Sequence, residues 1–220
     1  SITCKGTVIP ESSHVLYLGL LLDSSLSFEQ QVERVCAKAQ CKVASFRHGR
    51  RDVSMTGRRM FYLTIVQSTL DYASTCYVHC LSAKLRDKLE STSNRCLRRV
   101  FGHDQYTSID FILTKYNLYT FSRRVNLKLF VFVFRCLSRC TSPLLSTIFT
   151  PRSASCRTNA ATRGQASAAL NLPRATSRYG LNAISFLAAD RWNMLPPGCR
   201  QAKPLSAFVT STKSFLGFPV

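Results

Sequence analysis

Leu81-Ser82-Ala83-Lys84-Leu85-Arg86-Asp87-Lys88-Leu89-Glu90-Ser91-Thr92-Ser93-Asn94-Arg95-Cys96-Leu97-Arg98-Arg99-Val100 is the stretch whose pattern is most informative about the fold. Leu81, Leu85, Leu89, Cys96 and Val100 recur at helical intervals and form one apolar stripe. Lys84, Lys88, Arg95, Arg98 and Arg99 form a second stripe about a quarter-turn away, at roughly 100° per residue. The pattern predicts a helix that packs on one side and presents a row of cations beside it. Gly102, which tolerates the left-handed conformation, is the expected stop.

Upstream, Phe28, Val32, Val35, Ala39, Val43 and Phe46 alternate spacings of three and four, the period of another helix. Ser27 and Gln30 have the spacing of a capping box at its start. A basic loop, Arg47 to Arg51, comes next; Thr56 is the expected cap of a helix carrying Arg58, Arg59, Phe61, Ile65 and Tyr72. The first segment reads as two short strands, Ile2 to Ile9 and Val15 to Leu22, joined by a turn at Pro10 to Ser13. Downstream, a helix is expected from Phe121 to Cys140, with Arg123, Arg124, Lys128, Arg135 and Arg139 along it. Phe130 to Phe134 has strand-forming composition, and only the length of the run favours helix. Thr141 to Ser177 is rich in Ser, Thr, Ala and Arg and contains no acid, so it reads as a basic mobile linker. A helix through Phe186 to Trp192 and another over Ser206 to Leu216 close the chain. The expected fold is mainly α: an N-terminal β-hairpin segment (1–26), a helical domain (27–140), the linker (141–177) and a small helical unit (178–220).

Composition narrows the partners. The chain has 220 residues, 30 Lys and Arg against 11 acids, and a net charge of +19. At 45% hydrophobic and 10% aromatic it is too apolar for a disordered basic tail. Charge is uneven: up to Glu33 the net is −3, so the rest carries +22. From Phe111 to Ala189 there are eleven Lys and Arg and not one Asp or Glu. Such a field selects polyanions. The most apolar run, Leu127 to Leu137, is about half the roughly 20 residues a membrane span requires, and Arg135 interrupts it.

The ten cysteines read as reduced, mostly buried thiols rather than a disulfide framework. No secretory leader is visible, and a start at Ser1 without Met leads us to expect a piece of a longer chain. The best zinc candidate is Cys76, His79 and Cys80, spaced to share a helical face but lacking a second pair at finger-like spacing. The acids after Glu33 stand singly, so the paired carboxylates that hold Mg²⁺ for phosphoryl transfer are absent. Glu29 and Glu33 lie one helical turn apart and read as a solvated face. No catalytic residue is assigned. The cation sets (Arg47, Arg50 and Arg51; Arg58 and Arg59; Lys84, Lys88, Arg95, Arg98 and Arg99; Arg123 and Arg124) interleave with aromatics, as suits phosphate contacts without sequence readout. Tyr179 and Trp192 are candidates to stack on bases, with core packing the favoured role for Trp192.

Tyr17-Leu18-Gly19-Leu20-Leu21-Leu22-Asp23, followed by Leu26-Ser27-Phe28, resembles the palm-to-thumb junction of non-LTR (LINE-type) retrotransposon reverse transcriptases. Leu70-Asp71-Tyr72-Ala73-Ser74 and Leu89 to Gly102 are similar to that family's "LxYAS" and "LExxQNRALRxIxG" helices, and Ser122-Arg123-Arg124 to its "RR" helix start. Arg178-Tyr179-Gly180, Phe186, Trp192-Asn193-Met194-Leu195-Pro196 and Arg200 resemble its "RYG…SF…WNxLPxxxR" ending. Tyr77 and Ser93 depart from the pattern, standing where the family often has Trp and Gln.

The resemblance implies a thumb and C-terminal extension of an RNA-directed DNA polymerase, with the fingers and palm outside these residues. Tyr17, Leu18 and Gly19 would then sit in the hairpin that grips the primer end. It implies RNA and RNA–DNA hybrid as partners, together with the upstream fingers and palm, and no membrane. No cofactor is expected in this segment, Mg²⁺ belonging to the palm. The implied location is intracellular and nuclear. The alternatives are a basic helical interaction module stapled by zinc and an inactive transposon fragment.

Overall fold

The computed structural model describes residues 2–4, 6–9, 11–46, 52–138, 140–152 and 168–218. The chain is mainly helical and divides into two compact units, Ser1–Thr107 and Ser108–Val220. The boundary therefore falls inside the 27–140 stretch read from sequence as one helical domain.

The first unit opens with two β-hairpins rather than one. Strands β1 (Ile2–Cys4) and β2 (Thr7–Ile9) pair with each other, and β3 (His14–Tyr17) pairs antiparallel with β4 (Leu20–Asp23). The run read as one strand, Val15 to Leu22, instead folds back on itself. Leu18 and Gly19 both have positive φ (46° and 79°), which closes a two-residue turn matched to strand twist.

Asp23 ends β4 and organises the entry to the first long helix. Its carboxylate accepts from the Ser27 and Phe28 N–H groups, both at 2.8 Å, and from the Ser25 hydroxyl at 2.6 Å. Helix α1 (Glu29–Phe46) begins there, so Asp23, and not a Ser27–Gln30 box, sets its start. Ser27 Oγ makes only a long contact, 3.4 Å, from the Glu29 N–H, because Phe28 takes a left-handed φ of 58° that breaks the box geometry. Burial pushes the Asp23 carboxyl up, but the bonds from Ser25, Ser27 and Phe28 outweigh it and hold it well below the usual carboxylate range. Its contribution to stability is therefore complete above the unfolded carboxylate pKa of about 3.9 and is lost as the pH falls from there. Asp23→Ala is expected to destabilise by about 2 kcal/mol at neutral pH, with the difference from wild type closing in acid. Urea unfolding at pH 7 and pH 3 measures both.

Val32, Val35, Ala39 and Val43 of α1 are buried, as their spacing predicts, and Cys36 is buried with them. They pack along α5 (Ala83–Phe101), whose Leu89, Cys96, Leu97 and Val100 are buried too. Ser82 caps α5 through its Oγ, and Gly102 ends it with φ 79°. Between these helices, α2 (Met55–Phe61) is capped by Ser54, whose Oγ accepts from the Gly57 N–H at 3.2 Å; Thr56, the expected cap, lies inside the helix. A π-helical stretch, Tyr62–Gln67, carries α2 into α3 (Ser68–Asp71). Thr64 and Thr69 donate to the carbonyls of Met60 and Ile65, competition that loosens the regular ladder here.

Ala73 then takes a left-handed φ of 50°, and α4 (Ser74–Tyr77) passes into a 3₁₀ turn, Val78–Cys80. Tyr77 is fully buried, and its hydroxyl finds no partner among the described residues. Burial, with Cys36, Asp71 and Cys76 nearby, drives its phenol above the ordinary tyrosine value. Removing an unpaired buried hydroxyl relieves a desolvation cost, so Tyr77→Phe is expected to stabilise by about 1 kcal/mol. Thermal unfolding tests it, and a lowered melting temperature would contradict it.

The second unit begins with α6 (Ile109–Tyr116), a helix not read from the sequence, ended by Asn117 at φ 49°. Helix α7 (Phe121–Leu137) absorbs the Phe130–Phe134 run, so length decided correctly there. Its Leu129, Phe130, Val133, Phe134 and Cys136 meet Trp192, Leu195 and Phe208 in the core. Those come from α10 (Ile184–Asn193) and α12 (Leu205–Phe215), and from the Met194–Pro196 turn; α8 (Pro143–Ser146), α9 (Arg178–Asn182) and α11 (Pro197–Gln201) complete the unit.

Much of the described part of the expected linker belongs to this core. Phe149 and Leu170 are buried in it, with Leu145 and Ile148 packed against it. Asn193 clamps Leu170 through a 2.8 Å bond to its N–H and a 2.9 Å bond to its carbonyl, and the Trp192 indole N–H donates to the Ala168 carbonyl at 2.8 Å. Composition flagged this segment as a linker because Ser, Thr, Ala and Arg dominate it and it contains no acid. Arg157 and Arg163 lie outside the described residues, as does Arg139. Eight described cysteines are free thiols; Cys36, Cys96, Cys136 and Cys199 are buried, whereas Cys41, Cys76 and Cys140 are exposed. Among the described residues no helix is long and apolar enough to cross a membrane.

Candidate nucleic-acid interface

The hairpin tip and the middle of the first unit meet at Tyr72. Its hydroxyl donates to the Leu18 carbonyl at 2.7 Å. Its ring lies 3.3 Å from where a Cβ on Gly19 would sit, so Gly19 is required twice, for its φ of 79° and for this close approach. Tyr17 and Leu18 stay 62% and 76% exposed at the tip. Two motifs read separately in the sequence, Tyr17-Leu18-Gly19 and Leu70-Asp71-Tyr72, are thus one piece of structure.

Beside this contact runs a groove of about 400 Å³. Arg34, Lys38 and Lys42 line it together with Gly19, Tyr72 and Thr69. The three cations stand at i, i+4 and i+8 on α1, hence on one face. Lys42 donates to the Thr69 hydroxyl at 2.6 Å. Gln31, only 2% exposed, accepts from the Leu21 N–H at 3.0 Å and so ties β4 to the base of α1. The result is a basic trough walled by an aromatic ring and backbone groups. Its three cations were missed in the sequence, although their spacing of four was there to see; the apolar stripe of α1 drew the reading instead.

The expected cations are distributed unequally. Lys84 and Arg95 are exposed on α5. Lys88 is paired with Glu33 at 3.1 Å across a largely exposed contact, a bond worth little on its own. Arg98 turns back, its Nε–H donating to the Thr107 carbonyl at 3.1 Å; Arg99 remains exposed. Arg58 donates to the Val53 carbonyl at 3.1 Å and to the Phe101 carbonyl at 3.5 Å, at the negative end of α5 where a cation is favoured. Arg59 is half-buried beside it in sequence, and Arg47, Arg50 and Arg51 lie outside the described residues.

In the second unit, Arg123 is exposed but Arg124 is buried. The Arg124 guanidinium donates to the Tyr119 carbonyl at 2.6 Å and lies over the Phe121 ring at 5.7 Å. It holds the start of α7 and is withdrawn from any phosphate. Tyr179 is exposed, whereas Trp192 is core.

Cys76, His79 and Cys80 form no metal cluster: among the described residues no three His, Cys, Asp or Glu side chains gather to hold an ion. The α-to-3₁₀ change at Val78 removes the shared helical face that their spacing implied. Burial and the neighbouring Cys76 raise the Cys80 thiol above its ordinary value.

Comparison with protein-family models, curated proteins and solved structures finds no match to this chain.

Proposed function

We propose that this chain is the non-catalytic C-terminal portion of a retrotransposon reverse transcriptase, whose first unit grips template–primer RNA/DNA. The observation that carries the reading is the convergence of the Tyr17-Leu18-Gly19 tip, Tyr72 and the Arg34–Lys38–Lys42 row on one groove. A row of cations one helical turn apart neutralises successive phosphates, and the exposed tip offers apolar contact to a strand end. Lys84, Arg95 and Arg99 extend the positive surface along α5. Val15, Leu16, Tyr17 and Leu18 form an exposed apolar edge on a two-stranded hairpin, a structure that is marginal in isolation; the upstream palm is its proposed cover. Action on genomic DNA makes the nucleus the proposed location.

Purified chain should bind an RNA–DNA hybrid with affinity that falls steeply with salt, about 0.9 logarithmic units per phosphate contact. Fluorescence anisotropy across a salt series measures this. Binding insensitive to salt, or nucleotide incorporation by the purified chain, would sink the reading.

A further inference from the structure

Arg200 is the one residue of the family-like C-terminal motif whose chemistry the nucleic-acid reading does not use. It sits in α11, only 9% exposed. Its Nε–H is sealed from solvent with no hydrogen-bond partner among the described residues. Nor can the second unit readily supply a counter-charge. In sequence it contains two carboxylates, Asp110 and Asp190, and none at all between Phe111 and Ala189. A cation set this deep with no anion beside it among the described residues is costly.

It adjoins a cavity of about 440 Å³. Phe134, Leu137, Leu170 and Trp192 supply apolar walls, and among the described residues Arg200 and Lys203 supply the only two charges on its lining. The Trp192 N–H is already spent on the Ala168 carbonyl, so the indole offers the cavity an apolar face. Volume and lining suit a small molecule, mostly apolar with one polar anchor point. The guanidinium fork matches the two oxygens of a carboxylate or phosphate.

We propose that this cavity binds a small organic oxyanion, a carboxylate or phosphate on an aromatic or aliphatic body. Arg200 grips the anion, Lys203 adds positive charge at the rim, and the body lies along Leu170 and Trp192. The site belongs to the second unit alone and owes nothing to the groove in the first.

The experiment uses the full chain, in which Trp192 is the sole tryptophan and therefore a built-in reporter. Benzoate, phenyl phosphate, inorganic phosphate and benzyl alcohol are titrated while its emission is followed. Benzoate or phenyl phosphate should change the emission saturably below about 10 mM, and benzyl alcohol should bind at least about tenfold more weakly. The tighter of the two anions assigns the headgroup. Arg200→Gln should lower that affinity about tenfold or more, and Lys203→Gln about threefold. Arg200→Met should lose binding yet raise the melting temperature of ligand-free protein by about 3 °C, the reverse of a purely structural arginine. No saturable response to either organic anion would overturn the proposal. So would inorganic phosphate binding as tightly as phenyl phosphate, or a response undiminished in both Arg200→Gln and Lys203→Gln.

Discussion

Replacing Arg34, Lys38 and Lys42 together by alanine should weaken RNA–DNA hybrid binding about a hundredfold at ~0.1 M salt, with the loss shrinking towards 1 M. The slope of affinity against salt should fall by between two and three, about one for each phosphate no longer neutralised. The three side chains lie on one face of α1, and Arg34 and Lys38 make no ion pair among the described residues, so their charge remains available. Lys42 is tethered to a neutral hydroxyl, which leaves its charge unspent. Arg124→Ala provides the contrast. That residue is buried on the Tyr119 carbonyl, so its loss should lower stability and leave the salt slope alone. A logarithmic loss from Arg124→Ala about one third of that of the triple variant would mean that net charge alone governs binding and that the groove has no special part.

Trp192→Ala should cost about 3–5 kcal/mol of stability in the second unit, the largest single-residue effect expected anywhere in the chain. Trp192 is 1% exposed and stacks on Phe208 with ring centroids 5.5 Å apart. Phe208 in turn stacks on Phe134 at 4.5 Å, which joins α7, α10 and α12 through one aromatic column. The substitution also frees the Ala168 carbonyl, releasing the return of the chain at 168–170 from the core. Denaturant unfolding followed by circular dichroism should therefore show an early transition. Hybrid binding at ~0.1 M salt should change less than about twofold, since a core residue neutralises no phosphate. A large loss of hybrid affinity with unchanged stability would instead make Trp192 a base-stacking surface.

Several elements were legible because their signal is periodic and local. The α1 and α5 stripes, the Gly102 stop and the two C-terminal helices came from spacing and turn chemistry. Caps were legible in kind but not in place: Ser54 and Asp23 act where Thr56 and Ser27 were expected, since neighbouring polar residues compete and backbone geometry chooses among them. The α6 helix was missed because eight residues carry too few turns for a convincing period. The split of one apolar run into β3 and β4 was hidden for a related reason. A Leu-Gly pair is a weak turn signal inside a hydrophobic stretch.

By itself, the amino-acid sequence determined that this protein is mainly helical, that its charge is overwhelmingly positive beyond Glu33, and which faces of its longest helices are apolar. These properties depend on composition and on neighbours within a few turns. Only the tertiary structure decided which cations remain available, because that depends on carbonyls and rings supplied from elsewhere in the fold. It brought Tyr72 onto Leu18 across 54 residues and set the α1 cations beside them. It sank Arg124 onto a backbone carbonyl, and it enclosed Arg200 at an apolar cavity in a unit with almost no carboxylates to answer it. The positive charge was evident from the first reading; which of it stays exposed was settled by packing.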